Sequence, residues 1–338
     1  MYSIPGCKSE STAMSEITLE VQGLSTHFET RAGTIRAVDD VSFSVRRGRV
    51  LGLVGESGSG KSVTGFSVLG LVDPPGRIAA GRILFKGRDL TKLGEAELRG
   101  LRGNRIAMIF QDPMMTLNPV LRIDTQMMET VFAHAEVSRR EAWVRSRDAL
   151  GMVGIPSPEE RLSAYPHQFS GGMRQRVAIA IALLHQPDLI LADEPTTALD
   201  VTIQAQILAE VQRLARDHGT ALIWITHDLS VVAGLADEVA VMYAGRIVEN
   251  GQVSQVLKRP MHPYTHGLIG SVPSRNKRGS KLRQIPGMTP SLLNLPTGCA
   301  FRTRCQQADE KCELDPPITA PAEGRMLRCF NPQLEAIV

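Results

Sequence analysis

The clearest chemical signal in the sequence is a glycine-rich loop near the start of the chain. Its residues are Gly55-Glu56-Ser57-Gly58-Ser59-Gly60-Lys61-Ser62, which match the pattern G-x-x-x-x-G-K-S/T. Glycines let backbone N–H groups turn toward phosphates, and the following helix adds its positive N-terminal dipole. Lys61 can reach the β- and γ-phosphate oxygens, and Ser62 can offer a hydroxyl to Mg²⁺. The loop, with Val63 after it, predicts a site for a nucleoside triphosphate.

An acidic pair follows a second apolar segment. Residues Leu189 to Ala192 read as a buried strand that leads into Asp193 and Glu194. The first carboxylate suits Mg²⁺, and the second can orient or deprotonate an attacking water molecule. Acidic residues at a strand end are also common as solvated caps, so the functional interpretation depends on the phosphate loop upstream.

Two further features fit the same chemistry. Ser170-Gly171-Gly172 precedes a strongly helical segment from Met173 to Leu184, and backbone donors at a helix start form an anion site. An ordinary N-cap is the alternative. His227 follows the predicted strand Leu222 to Thr226, where imidazole can donate a hydrogen bond to a γ-phosphate, although a structural histidine also fits.

The elements that must position these residues alternate between strand and helix. Buried strands are predicted at Val50–Val54, Leu189–Ala192, Leu222–Thr226 and Val239–Tyr243, with helices at Ser62–Leu71 and Val201–Arg216. This order predicts an α/β fold with a largely parallel sheet. Between Pro119 and Pro166 strand signals vanish, and a capping box at Ser138 opens a helix, which predicts a helical insertion.

Composition excludes several classes of protein. The 338 residues are 43% hydrophobic and 22% charged, which is the composition of a globular chain. A net charge of +3 argues against a protein that coats nucleic acid. The longest apolar stretch, Val177 to Leu184, is far shorter than the roughly 20 residues of a membrane-spanning helix, so any membrane contact is predicted to go through a partner.

Three regions are predicted along the chain. Residues 1–16 lack a secretory signal and read as a loose tail, and either Met1 or Met14 can be the start. Residues 17–259 carry the α/β pattern, with the helical subdomain at about 112–169. Half of the twenty prolines lie from Pro260 onward, so residues 260–338 are predicted to form a second, small domain.

The order of these motifs resembles that of an ABC-transporter ATPase subunit, a P-loop NTPase. The order is the phosphate loop, Gln111, the segment Ser170 to Arg176, Asp193-Glu194, Ala198-Leu199-Asp200 and His227. Further details are similar to the D-type ATPase of bacterial oligopeptide and dipeptide importers: Met108-Ile109-Phe110-Gln111-Asp112-Pro113, Leu117-Asn118-Pro119 and Met242-Tyr243-Ala244-Gly245. Nickel importers of the same subfamily share much of this pattern.

The resemblance implies a head-to-tail pair of ATPases. Ser170, Gly171, Gly172 and Met173 of one subunit would close on the ATP held, with its Mg²⁺, by the phosphate loop of the other, and the contact of these residues would be with ATP. Gln111 would link the metal and the attacking water to the helical insertion, and Asp200 would contact the opposite site. His227 would hold the γ-phosphate, and Phe28 would stack on adenine, although Phe28 also fits a strand core.

One position departs from the commonest family signature, Leu-Ser-Gly-Gly-Gln. Phe169 and Met173 replace its first and last residues, as in D-type subunits. The backbone donors remain, but the amide side chain is absent.

Four cysteines crowd the proline-rich region: Cys299, Cys305, Cys312 and Cys329. Thiols of a cytoplasmic ATPase stay reduced, so disulfides are disfavoured, and four thiolates suit zinc or an iron–sulfur cluster. Spacing does not choose between these and unmetallated thiols. The resemblance favours a 4Fe-4S cluster, through the segment Gly298 to Cys305. The arginines Arg302, Arg304, Arg325 and Arg328, with Lys311, are predicted to form a solvated basic face.

The resemblance implies a peripheral subunit at the cytoplasmic face of the cell membrane. It would energise peptide import with an F-type second ATPase, two permease subunits and an extracytoplasmic substrate-binding protein, without direct nucleic-acid contact. The alternatives are a nickel importer ATPase, a soluble ABC ATPase acting on DNA or ribosomes, and a redox-sensing module. Cargo is not encoded in an ATPase subunit.

Overall fold

The computed structural model describes residues 16–196, 201–272 and 284–333. The strands are β1 (Ile17–Thr30), β2 (Gly33–Arg46), β3 (Val50–Val54), β4 (Gly76–Phe85), β5 (Arg88–Asp89), β6 (Ile106–Ile109), β7 (Leu189–Asp193), β8 (Ala221–Thr226), β9 (Glu238–Tyr243), β10 (Arg246–Gln252), β11 (Ile318–Thr319) and β12 (Met326–Arg328). The α-helices are α1 (Lys61–Leu69), α2 (Glu95–Leu101), α3 (Ile123–Phe132), α4 (Arg139–Met152), α5 (Pro158–Leu162), α6 (Gly171–Leu183), α7 (Val201–His218), α8 (Leu229–Leu235), α9 (Val253–Lys258) and α10 (Pro263–Gly270). Short 3-10 turns lie at Leu90–Lys92, Pro113–Met115, Pro166–Gln168 and Glu310–Glu313.

The main sheet has the strand order β11-β12-β10-β9-β3-β8-β7-β6. Strands β9, β3, β8, β7 and β6 run parallel. Every residue of β3, β7 and β8 is buried, which explains why these strands read as unbroken apolar runs rather than alternating patterns. Because parallel strands end at one edge, the loops after β3, β6, β7 and β8 meet there. Those loops carry the phosphate loop, Gln111, Glu194 and His227.

A smaller antiparallel sheet has the order β2-β1-β4-β5 and packs against the first. One apolar cluster joins the two sheets, and it includes Leu19 and Val38 from the small sheet and Leu51 and Ile223 from the large one. Helix α1 lies between them and contributes Val68 to the cluster. This packing fixes the orientation of the helix that begins at Lys61.

The predicted helical insertion is present as α3, α4 and α5. Ser138 caps α4 by accepting the Glu141 N–H at 3.2 Å, as the capping box predicts. The insertion has a core of its own, in which Ile123 and Leu150 pack with Phe169 and Val177 beside and within α6. Helix α6 therefore connects the insertion to the main sheet.

The end of the chain completes the main sheet. Strand β12 pairs with β10 through Leu327 opposite Glu249, and β11 pairs with β12. The region after residue 260 thus shares a sheet with the α/β core. The division at residue 260 remains a prediction.

The predicted basic face is wrong for three of its members. Arg304, Arg325 and Arg328 are 7%, 9% and 8% exposed. They pair with Glu56, Glu249 and Asp40 of the preceding part of the chain. A buried guanidinium needs a carboxylate partner, and the partners lie far away in sequence, where charge counting within the segment could not find them.

No helix in the described part of the chain has both the length and the apolar character that a membrane crossing requires.

Candidate functional site

The phosphate loop lies between β3 and α1, as predicted. Gly60 caps α1 with φ of 102°, and a Cβ there would lie 2.2 Å from the Ala37 carbonyl oxygen, so only glycine fits. Lys61 is 5% exposed, and its Nζ donates to the carbonyl oxygens of Gly55 at 2.9 Å and Glu56 at 3.0 Å. Burial lowers the pKa of Lys61, and the nearby carboxylates of Glu194 and Asp193 oppose that shift. The ammonium is thus held by weak acceptors that a phosphate oxygen can replace.

Asp193 ends β7 beside Ser62 at the start of α1. The Ser62 side chain faces the Asp193 carboxylate, and Asp193 Oδ1 is buried and has no hydrogen-bond partner among the described residues. Burial raises the pKa of Asp193. A buried orphaned oxygen next to a hydroxyl fits a hard cation, so the residues present fit Mg²⁺.

Glu194 lies one residue beyond β7 with φ of 44°, outside the usual range for a non-glycine residue. Its N–H donates to the Ile225 carbonyl at 2.9 Å, which fixes the backbone against β8. Gln111 Nε2 donates to Glu194 Oε2 at 3.3 Å, and His227 Nδ1 lies 3.1 Å from Oε1. Three residues predicted from separate motifs are therefore in direct contact.

These groups line one cleft of about 760 Å³. Its lining comprises Ala37, residues 56–63, Gln111, Glu194, His227 and Leu292. Phe28 is not among them. Its half-buried ring lies over Gly76 of β4, where a Cβ would come within 2.5 Å of Phe28 Cε1. The role of Phe28 at adenine therefore stays a prediction.

The signature residues lie apart from this cleft. Ser170 caps α6 by accepting the Met173 N–H at 3.3 Å, and Ser170 and Gly171 are exposed. Because this exposed helix start is not part of the cleft that contains Lys61, it can bind an anion held by another chain but not an anion bound in this cleft. Asp200 lies outside the described residues.

Sequence reasoning missed the contribution of the C-terminal region to the loop. Arg304 forms two hydrogen bonds with the Glu56 carboxylate, and Leu292 lines the cleft. Arg304 lies between Cys299 and Cys305 in a segment that the sequence already marks, but its charge alone predicts a solvated side chain.

The four C-terminal cysteines are free thiols that lie near one another, and the Cys299 N–H donates to the Cys312 carbonyl oxygen at 3.0 Å. Burial raises the pKa of Cys299 and of Cys305, and raises that of Cys329 to about 12. Within residues 16–196, 201–272 and 284–333, no group of three or more His, Cys, Asp or Glu is arranged to hold a metal ion. Neither the zinc prediction nor the 4Fe-4S prediction gains support from this geometry.

Comparison with known proteins identifies the group to which the chain belongs. It is 48% identical over 335 residues to the oligopeptide transport ATP-binding protein OppD of Salmonella typhimurium, covering 99% of this chain and 100% of the relative. This chain belongs to the ATP-binding subunits of the oligopeptide and dipeptide ABC transporters. The ABC subunit is also 48% identical to the dipeptide transport ATP-binding protein DppD of Bacillus subtilis, over 93% of this chain and 95% of that one.

Family models and solved structures agree with this assignment. A model described as ABC transporter matches residues 38–197 of the ABC subunit, and one described as oligopeptide/dipeptide transporter, C-terminal region, matches residues 248–312. The dimeric structure of a bacterial ABC transporter cassette superposes with a TM-score of 0.64 at 26% identity, over 70% of this chain and 98% of that one. The predicted family and the predicted P-loop ABC fold are confirmed.

Proposed function

We propose that this chain hydrolyses ATP to energise the import of di- and oligopeptides through a heteromeric ABC transporter. The observation that carries the proposal is that a single cleft joins the phosphate loop to Gln111, Glu194 and His227. The peptide-transport relatives support the cargo class, and neither a nickel importer nor an ATPase acting on DNA or ribosomes is favoured by them.

Nucleotide binding is the task of the loop. Its backbone N–H groups and the start of α1 would hold the phosphates, and Lys61 would exchange its bonds to the Gly55 and Glu56 carbonyls for phosphate oxygens. Ser62 and Asp193 would hold Mg²⁺, with Gln111 beside them. The cation, when bound, neutralises charge on the β- and γ-phosphates.

Hydrolysis is the task of the residues around Glu194. Glu194 would accept a proton from the attacking water, and His227 would position Glu194 and donate toward the γ-phosphate. Gln111 contacts Glu194 directly and begins the segment that leads into the helical insertion. Movement at the γ-phosphate would therefore reach the insertion through Gln111.

The signature residues support a second ATPase as partner. Ser170, Gly171, Gly172 and Met173 would complete the nucleotide site of an F-type subunit, whose own signature would close on Lys61 here. We propose that Asp200 contacts the opposite site of this pair. Two permease subunits and an extracytoplasmic binding protein would complete the assembly, with this chain peripheral at the cytoplasmic face of the membrane.

Copurification tests the assembly. Mild-detergent purification of the tagged chain from its own membranes, followed by mass spectrometry, should recover a second ATPase, two multi-spanning chains and a binding protein. Stimulation of ATP hydrolysis by binding protein loaded with peptide, and not with nickel, then assigns the cargo. Recovery of ribosomes or DNA instead would contradict the transport role.

We further propose that the four cysteines hold a 4Fe-4S cluster. The support is chemical: four thiols share one neighbourhood, and the Gln307 N–H donates to Cys305 Sγ at 3.4 Å. Iron and acid-labile sulfide in protein purified without oxygen should be four each per chain. Stoichiometric zinc, or neither element, would contradict the cluster.

A further inference from the structure

Glu56, the second residue of the phosphate loop, is held by the C-terminal region as well as by the loop itself, in which Lys61 Nζ donates to the Glu56 carbonyl oxygen at 3.0 Å. Arg304 Nη1 lies 2.6 Å from Glu56 Oε2, and Nη2 lies 3.0 Å from Oε1. Thr289 donates its hydroxyl to Oε2 at 2.7 Å, and the Glu56 N–H donates to the Tyr264 hydroxyl at 2.8 Å. Both the side chain and the main chain of Glu56 are therefore bound by residues that follow position 260.

Contacts other than Glu56 also hold the Arg304 side chain in place. Its side chain is 5% exposed, its Nε donates to the Pro286 carbonyl at 2.9 Å, and its guanidinium lies 5.8 Å from the ring centres of Tyr243 and Phe301. The planar guanidinium thus presents two parallel donors to one carboxylate, a geometry that lysine cannot reproduce.

The charge of Glu56 makes this contact important for nucleotide binding. A carboxylate in a phosphate loop repels the anion that the loop must bind. Burial raises the pKa of Glu56, but hydrogen bonds from Arg304 and Thr289 outweigh it, so the pKa is lowered and the group is ionised at neutral pH. The bidentate pair both neutralises this charge and directs the carboxylate toward Arg304.

We propose that Arg304 is a positioning residue for ATP binding that acts through Glu56 of the phosphate loop. It holds the loop in its binding conformation and screens the phosphates from the Glu56 charge. The inference rests on the proposed nucleotide site. The cysteine-containing segment would then contact that site directly, through the bond from Arg304 to Glu56.

The test measures binding of Mg²⁺ and a fluorescent mant-ATP to the full chain. Arg304→Gln should weaken binding about ten-fold, because an unscreened carboxylate then faces the phosphates. Arg304→Lys should lie between Arg304→Gln and the wild type. Adding Glu56→Gln to Arg304→Gln should recover most of the loss, because the charge that required screening is gone. In the assembled transporter, Arg304→Gln should raise the KM for ATP while kcat changes less than two-fold.

Arg302→Gln is the matched control, because Arg302 lies in the same segment but pairs with Glu313 and Thr297. It should bind mant-ATP like the wild type. Unchanged affinity in Arg304→Gln, or a loss that Glu56→Gln fails to rescue, would overturn the inference. A wild-type chain that binds no nucleotide would instead overturn the proposed function. If Arg304→Gln does not fold, Thr289→Val and Arg304→Lys replace it, and normal binding by both overturns the inference.

Discussion

At the scale of single residues, the proposed general base, Glu194, is held in a fixed position. Its backbone has a positive φ and is bonded to β8, and its two carboxylate oxygens contact different side chains, Gln111 and His227. The strained backbone places the carboxylate beyond the strand end, where the cleft is. Mobility of this side chain is therefore limited before nucleotide arrives.

Glu194→Gln should leave ATP binding within about two-fold and lower hydrolysis by a factor of about 100 or more, because an amide cannot accept the water proton. Both quantities are measured on the assembled transporter. Glu238→Gln is the matched control, since Glu238 is exposed at the opposite end of a parallel strand. Hydrolysis above a tenth of the wild-type rate would exclude Glu194 as the base.

The loop glycines provide a second test at this scale. Gly60→Ala should destabilise the fold by about 3 kcal/mol, because the added Cβ meets both the Ala37 carbonyl and Met242. Gly58 also has a positive φ, but a Cβ added there would meet no atom within 4 Å. Gly58→Ala is therefore expected to cost only the backbone strain, about 1 kcal/mol. Urea unfolding of the two variants compares the values, and equal losses would contradict the steric explanation.

At the scale of elements, the parallel strands are what bring distant motifs together. Residues 55, 111, 194 and 227 are separated widely in sequence, yet each follows a strand that ends at one sheet edge. Helix α10 is positioned differently, by a buried histidine. His262 caps α10, because its Nδ1 accepts a hydrogen bond from the Tyr264 backbone N–H. The backbone N–H of His262 donates to the Glu249 carboxylate at 3.0 Å.

Protonation of His262 should destabilise the protein in acid. Burial lowers its pKa from 6.5 to about 3, so below pH 6.5 the unfolded chain binds a proton that the folded chain does not. Stability is therefore lost as pH falls from about 6.5 toward 3, by about 2 kcal/mol at pH 5. His262→Asn keeps an acceptor for the cap but cannot titrate. The drop in unfolding free energy between pH 8 and pH 5 should be smaller in this variant, and an equal drop would contradict the assignment.

At the scale of the whole molecule, buried arginines fasten the C-terminal region to three earlier segments of the chain. Arg325 contacts Glu249, which is fully buried and also accepts the N–H groups of Met261 and His262. Arg328 binds Asp40 of β2, and Arg304 binds Glu56. Each pair connects the C-terminal region to a different part of the nucleotide-binding core.

Arg325→Met should lower the free energy of unfolding by about 3–5 kcal/mol, because it leaves the Glu249 carboxylate buried without its counter-charge. Glu249→Gln combined with Arg325→Met removes that charge and should recover at least half of the loss. Thermal or urea unfolding measures both. A double variant as unstable as the single one would show that packing, and not charge, dominates at this site.

Much of the core could be predicted from the sequence, because the elements that form it are determined by residues close together in the chain. Strand β3, helix α1 and the cap at Ser138 depend on residues within a few positions of one another. The burial of Arg304 depends on Glu56, 248 positions away, and no local pattern carries that information. Phe28 illustrates the same limit, since its neighbour Gly76 belongs to another strand. Contacts of this kind need the fold before they can be recognised.

The pairing of Glu249 with Arg325 also sets the order in which parts of the sheet can fold during synthesis. Ribosomes release a chain from its N-terminus, so Glu249 emerges 76 residues before its counter-charge. A lone carboxylate resists burial, and β10 has no outer neighbour until β12 has been made. The outer part of the main sheet can therefore close only after β12 has been made. A chain that stops before residue 326 would therefore leave β10 as an open sheet edge, with the Glu249 carboxylate lacking its counter-charge.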